Sequence, residues 1–300
     1  MRVWNVPGTS LTVPVIGQGT WGFGASGCTR TAEIDALREG IARGLTFIDT
    51  AEFYAGGGAE SVVGEAVRDI REQVFIMDKL WPRYRHADDM LAGADASLRR
   101  LGTDYLDALL WHWPSGAPPL SEIAAAFAEM QQRGWIRTWG VSNFWEDWLD
   151  RLDHEVPSAD LRWNQMPYSL DQRALEGAVL DRSLARGIGI IAYSPLSHGH
   201  LPVGREALAT VARRRGVSPQ QVALAWVTRH PGVIAVPKAA TIGHVRANAE
   251  SDFVLELEEL EILAQAFPRR PRSRWRTMPS SPALFRLIWA ATARGTDRTP

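Results

Sequence analysis

Residues 107–114 read DALLWHWP, an apolar run that delivers one imidazole, His112, just before a tryptophan and a chain-breaking proline. Two other ionisable groups close similar runs: Asp49 ends TFID, and Lys79 follows VFIMD. Tyr54 comes five residues after Asp49. A phenol has an ordinary pKa of about 10, too high for efficient proton exchange near neutrality. A neighbouring ammonium lowers it by favouring phenolate, and a carboxylate keeps that ammonium charged beside an apolar pocket. An imidazole within hydrogen-bond reach can orient both the hydroxyl and an incoming oxygen. Together Asp49, Tyr54, Lys79 and His112 make a proton donor for an oxygen that gains negative charge, as a carbonyl does when hydride attacks it. No side chain supplies hydride, so a nicotinamide cofactor has to.

Taken singly, each residue has a plainer reading. Asp49 before Thr50 caps a loop, His112 is a satisfied buried histidine, and Lys79 is a surface charge at a strand end. Of 33 basic residues only Lys79 and Lys238 are lysine. Either a coding bias left two surface lysines, or lysine survives where a planar guanidinium cannot replace a compact ammonium.

The catalytic reading requires elements that bring these groups together. Short apolar or β-branched segments recur at Val15–Gly19, Thr46–Asp49, Val74–Met77, Tyr105–His112, Ile136–Ser142, Leu161–Gln165, Gly189–Tyr193 and Val233–Pro237. Helical stretches follow them at Thr31–Arg43, Ala59–Asp69, Asp88–Leu101, Leu120–Arg133, Glu146–Leu152, Ala174–Arg186, Ser218–Thr228 and Thr241–Asn248. Gly44, Gly134 and Gly187 stand where helix C-terminal caps are expected. Eight alternations predict an α/β protein, a closed (β/α)₈ TIM barrel, more readily than an open doubly wound sheet. Val3–Val6 and Leu11–Val13 flank PGTS and predict an N-terminal β-hairpin that plugs the barrel. In such barrels, active sites lie at the C-terminal ends of the strands, where Asp49, Lys79 and His112 would converge from strands two, three and four.

Composition agrees with a small-molecule enzyme. A formal net charge of −1 argues against general attraction to nucleic acid or anionic membrane. The N-terminus has no apolar signal core, and no apolar run of about 18 residues could span a bilayer, so a cytoplasmic protein is expected. The single cysteine, Cys28, excludes an intrachain disulfide and a cysteine-rich metal site, and no metal is expected.

Across residues 1–268, FIDTAEFY, GGGAESVVGEAV, DKLW, LLWHWP, GVSNF, WNQMPYSL, AYSPLSHG and AVPKAATIGHVRANA resemble the successive signatures of the aldo-keto reductases. The resemblance implies a barrel that binds NADPH, with NADH as the alternative, without a Rossmann domain. QGTWGFGASG indeed lacks the GxGxxG spacing. It implies Tyr54 as general acid, Lys79 and Asp49 as the pair that tunes it, and His112 as the group that orients the carbonyl. Trp21, Phe53, Trp81 and Trp113 match substrate-pocket positions. Gly19, Thr20 and Trp21 fall in the first strand-end segment expected to meet cofactor. Ser142, Asn143 and Gln165 match carboxamide-binding positions, Tyr193 the ring that stacks on nicotinamide, and Ser194 and Leu196 the pyrophosphate strap. Lys238 matches a phosphate contact and Asn248 an adenine contact. His244 stands where an arginine commonly grips the 2′-phosphate, and a neutral imidazole does so less well than a bidentate guanidinium.

WNQMPYSL departs from the longer pattern of animal carbonyl reductases and argues against steroid or prostaglandin substrates. After residue 268, RRPRSRWR and then SPALFRLIWAATARG make residues 269–300 a tail segment, either a linker with a packing helix or a lid over the mouth. Two rival functions remain at this stage. One is a Schiff-base aldolase using Lys79, which needs a neutral amine that Asp49 would oppose. The other is a nucleotide-binding redox-sensor or regulatory subunit of the same fold.

Overall fold

The computed structural model describes residues 1–25, 29–115, 118–157, 160–199 and 205–270. A two-stranded antiparallel hairpin, β1 (Val3–Asn5) with β2 (Thr12–Pro14), precedes eight parallel strands. These are β3 (Gln18–Gly19), β4 (Phe47–Asp49), β5 (Phe75–Leu80), β6 (Leu106–Trp111), β7 (Ile136–Ser142), β8 (Leu161–Pro167), β9 (Gly189–Tyr193) and β10 (Val233–Ala235). Each pairs with its sequence neighbour. The first and last meet through isolated parallel bridges, Ile16 to Ala235 and Gly19 to Lys238, and the Gly17 N–H donates to the Ala235 carbonyl at 2.8 Å. The sheet is thereby closed into the expected (β/α)₈ barrel.

Side-chain alternation on a strand explains what lies inside. Phe47, Phe75, Met77, Ala108, Leu110, Trp163, Ile191, Ile234 and Val236 form one apolar cluster in the barrel interior, joined by Val6 and Val13 of the hairpin. Trp4 packs edge-on against Trp163 with ring centroids 5.7 Å apart, so the hairpin does plug the N-terminal end. The intervening residues, among them Ile48, Ile76, Leu80, Leu109, Trp111 and Ile190, face the helices instead. One step of two beyond Phe47, Met77, Leu110, Trp163, Ile191 and Val236 come Asp49, Lys79, His112, Gln165, Tyr193 and Lys238. The same period that builds the apolar floor therefore sets six polar or ionisable groups above it at the C-terminal mouth.

Ten helices surround the strands among the described residues: α1 (Arg30–Ala42), α2 (Gly58–Val67), α3 (Ala87–Leu101), α4 (Leu120–Gln132), α5 (Glu146–Glu155), α6 (Ala178–Ala185), α7 (Arg205–Arg215), α8 (Pro219–Val227), α9 (Ile242–Ala249) and α10 (Leu257–Ala266). Gly44, Gly134 and Gly187 adopt positive φ after their helices, as expected. The sequence pattern did not anticipate three features. The helix expected from Ala174 begins at Ala178, because Gly177, at φ 85° and ψ −104°, breaks the chain before it. Two helices, α7 and α8, follow β9 where one was expected. Helix α10 closes the barrel wall through a paired Arg215–Glu259 contact at 2.5 Å and a capping box from Glu256 to Glu259. The proposed lid function of the C-terminal segment falls almost wholly on residues 271–300, which lie outside the described residues.

Candidate active site

The mouth begins at β4, where Asp49 is the last strand residue and is buried. Beside it on β5, the wholly buried Lys79 places Nζ 2.7 Å from Asp49 Oδ1, donates to the Thr50 carbonyl at 2.6 Å, and donates to the Tyr54 hydroxyl at 3.2 Å. Tyr54 opens a 3₁₀ turn, Tyr54–Gly57, that carries the chain from β4 into α2. His112 follows the last residue of β6, its N–H donating to the Leu80 carbonyl at 3.0 Å. Its ring stands roughly perpendicular to that of Tyr54, centroids 6.1 Å apart. The four residues singled out in the sequence are thus brought together.

Their electrostatics follow from burial. Desolvation pushes the Tyr54 hydroxyl up to about 12, outweighing the opposing pull of the Lys79 ammonium. This corrects the expectation of a lowered value: in this site the lysine limits a rise instead of producing a net fall. Burial alone would lower the Lys79 ammonium, but the charges of Asp49 and Tyr54 more than offset it and leave it above its ordinary range. Burial, reinforced by the Lys79 charge, holds His112 well below its ordinary value. The trio at neutral pH is therefore a protonated phenol, an ammonium and a neutral imidazole.

A second network adjoins the first. Gln165 donates from Nε2 to Asp49 Oδ1 at 2.7 Å, and Ser142 donates from Oγ to the Gln165 carbonyl at 3.1 Å. Asn143 donates to the His112 carbonyl at 3.2 Å and to Ser142 Oγ at 2.9 Å, and accepts the Tyr193 hydroxyl at 2.8 Å. Asn143 sits at φ 64° and Ser194 at φ 49°, left-handed conformations that re-aim the chain at the ends of β7 and β9. Thr20 donates from Oγ1 to the Asp49 carbonyl at 2.9 Å, tying the β3 end, with Gly19, to the same centre.

Aromatic rings form one wall of the mouth. Phe53 stacks on Trp81 at 4.1 Å, Trp81 meets His112 edge-on at 5.1 Å, and Trp21 lies 6.2 Å from Phe53 and 5.0 Å from Tyr54. Trp21 is 55% exposed, the outer end of this wall. Its loop can lie this close because Gly24 and Gly58 meet backbone to backbone: a Cβ on Gly24 would come within 2.3 Å of the Gly58 carbonyl carbon. Trp113 is half-buried one residue beyond His112.

The remaining predicted residues stand apart from the cluster of Asp49, Tyr54, Lys79 and His112. Ser194 and Leu196 are half-buried after β9, Leu196 against the outer core. Lys238 is exposed, with Nζ 5.8 Å from the Phe23 ring centroid. His244 is exposed on the first turn of α9, where its N–H donates to Thr241 Oγ1 at 3.4 Å, and Asn248 is buried farther along that helix. Sequence reasoning missed Glu52, a buried carboxylate between Asp49 and Tyr54 that binds the loop after β5. The signal was present, since an acidic residue inside FIDTAEFY needs a partner if that stretch is buried.

A sequence profile of the Aldo/keto reductase family matches residues 15–267. Methylglyoxal reductase YeaE of Escherichia coli (strain K12) is 43% identical over 268 residues, covering 86% of this chain and 92% of that protein. Glyoxal reductase of Bacillus subtilis (strain 168) is 31% identical over 231 residues, 76% of this chain and 80% of that protein. Among solved structures, an aldo-keto reductase from Klebsiella pneumoniae in complex with NADPH superposes with a TM-score of 0.86 at 40% identity, covering 93% of this chain and all (100%) of that one.

Proposed function

The chain belongs to the aldo/keto reductase family, and from that premise we propose that it reduces a small-molecule aldehyde or ketone to the alcohol with NADPH, Tyr54 giving the proton. The observation that carries the assignment of roles is the buried Tyr54–Lys79–Asp49 relay, 3.2 Å and 2.7 Å between successive polar atoms, at the mouth of the barrel.

NADPH, when bound, supplies the hydride that reduces the carbonyl carbon. The residues present suit its nicotinamide end. Ser142, Asn143 and Gln165 gather hydroxyl and amide groups on adjacent strands, and half-buried Tyr193, anchored through its hydroxyl to Asn143, offers an aromatic face. Ser194, Leu196, Lys238, His244 and Asn248 are proposed to hold the rest of the nucleotide, with Gly19, Thr20 and Trp21 at the first strand end. Tyr54 keeps its proton at neutral pH and delivers it to the carbonyl oxygen. Lys79 steadies the phenolate left behind, and Asp49 holds Lys79 as an ammonium. Neutral His112, its ring 6.1 Å from that of Tyr54, is suited to orient the carbonyl by a hydrogen bond. Phe53, Trp81, Trp113 and Trp21 shape the side facing the substrate.

The Schiff-base reading is disfavoured, because an amine held as ammonium by Asp49 is a poor nucleophile. The regulatory-subunit reading has no support from the relatives, which are named as reductases. No helix among the described residues is long and apolar enough to cross a membrane. We assign residues 1–268 to one catalytic domain acting in the cytoplasm. The test is NADPH binding by tryptophan fluorescence quenching, followed by NADPH absorbance decay on adding methylglyoxal and substituted benzaldehydes. Quenching with decay is expected; quenching without decay across the panel would contradict the reductase.

A further inference from the structure

Glu52 is buried in the loop between Asp49 and Tyr54, and the chemistry above makes no use of it. A carboxylate taken out of water needs several donors, and this one has three from a single neighbouring loop. Oε1 accepts the Trp81 N–H at 2.6 Å, from the first residue beyond β5. Oε2 accepts the Tyr84 hydroxyl at 2.6 Å and the Arg83 guanidinium at 3.1 Å. Arg83 in turn donates to the Tyr84 hydroxyl at 2.9 Å. The Glu52 N–H already donates to the Lys79 carbonyl at 3.3 Å, so main chain and side chain together bind the two loops edge to edge.

The consequence lies in what those loops carry. Phe53, the residue after Glu52, and Trp81, whose backbone Glu52 holds, are the two partners of the 4.1 Å stack. Their planes are within 11° of parallel, and Trp81 presents its edge to His112. One carboxylate therefore fixes the relative position of both rings without touching the space beside His112 itself.

We propose that Glu52 is a positioning residue that sets the Phe53–Trp81 wall and so determines how well the site holds flat aromatic aldehydes relative to small aliphatic ones. The proposal rests on the reductase reading. Losing the wall weakens aromatic contact with a large substrate, whereas a three-carbon substrate held mainly at its carbonyl is little affected.

The experiment is steady-state kinetics of wild type, Glu52→Gln and Glu52→Ala with NADPH and two aldehydes, 4-nitrobenzaldehyde and methylglyoxal, with NADPH affinity measured by fluorescence. Glu52→Ala is expected to raise KM for the aromatic aldehyde about tenfold, the size of losing one well-placed aromatic contact. KM for methylglyoxal and the NADPH Kd should stay within about threefold of wild type. Glu52→Gln retains an acceptor for the Trp81 N–H but loses the charge facing Arg83, so it should fall between the two. Tyr84→Phe removes one of the three bonds from outside the barrel and should skew KM in the same direction by a smaller factor, which keeps the test available if Glu52→Ala does not fold. KM values that rise by the same factor for both aldehydes, or that do not move, would overturn the assignment. A wild-type protein that turns over neither aldehyde would instead sink the reductase reading and this role together.

Discussion

At Tyr54 two demands oppose each other: a proton donor must be dry enough to act on a carbonyl, yet dryness makes a phenol hold its proton. Burial wins, with the hydroxyl at about 12, and Lys79 restrains the rise. A raised pKa means the acid form persists until pH climbs through that value, so Tyr54 ionisation should cost no activity between about pH 7 and 9. His112, held well below its ordinary range, is already neutral there. The expected kcat/KM profile for reduction is flat across that window; an inflection near pH 6.5 that disappears in His112→Asn would contradict a neutral imidazole. Replacing Lys79 by Met removes the ammonium that opposes the rise at Tyr54 and should slow reduction by a factor on the order of 10² or more, read as kcat. The four residues were legible because their types are informative and their strand ends could be counted. The sign at Tyr54 was not, since desolvation depends on how completely packing excludes water, which residue order does not state.

Alternation along each strand does most of the positioning. Trp163 faces inward from β8, fully buried against Phe47 and Phe75, with its indole N–H donating to Thr138 Oγ1 at 2.9 Å. Two residues on, Gln165 meets Asp49. Truncating Trp163 to Ala should cost about 3–5 kcal/mol by denaturant unfolding, through lost burial and the cavity left under the site. A loss below about 1 kcal/mol would mean that the ring is not part of the core. Eight strands, the hairpin and the glycine caps could be read from periodicity and turn residues. Helices α7 and α10 could not, because counting one helix per strand leaves no place for them. The Arg215–Glu259 pair joins the two helices, a contact between residues 44 apart that periodicity does not announce.

At the scale of the whole molecule, the barrel gathers groups that are distant in the chain: Asp49 and Gln165 lie 116 residues apart yet share a hydrogen bond. The family signatures that carry Asp49, Lys79, His112 and Gln165 announced that convergence because these residues fall at strand ends. The Glu52 clamp escaped notice because its partners, Trp81, Arg83 and Tyr84, lie in the next loop and have no fixed spacing from it. On the proposed binding of NADPH across several strand ends of the folded chain, saturation at about 100 times its Kd should stabilise the protein by about 2.7 kcal/mol, seen as a thermal midpoint raised by several degrees. NADPH that leaves the midpoint unchanged at saturation would contradict a site built from the folded barrel.

The most direct test of the central claim is the single-turnover rate of NADPH oxidation by Tyr54→Phe with an aldehyde that wild type reduces. The phenyl ring preserves the packing against Trp21 and His112 while removing the donated proton. The account predicts NADPH affinity close to wild type and a rate lower by a factor of about 10² to 10⁴. A rate equal to wild type would show that the proton comes from elsewhere and would remove Tyr54 from the chemistry.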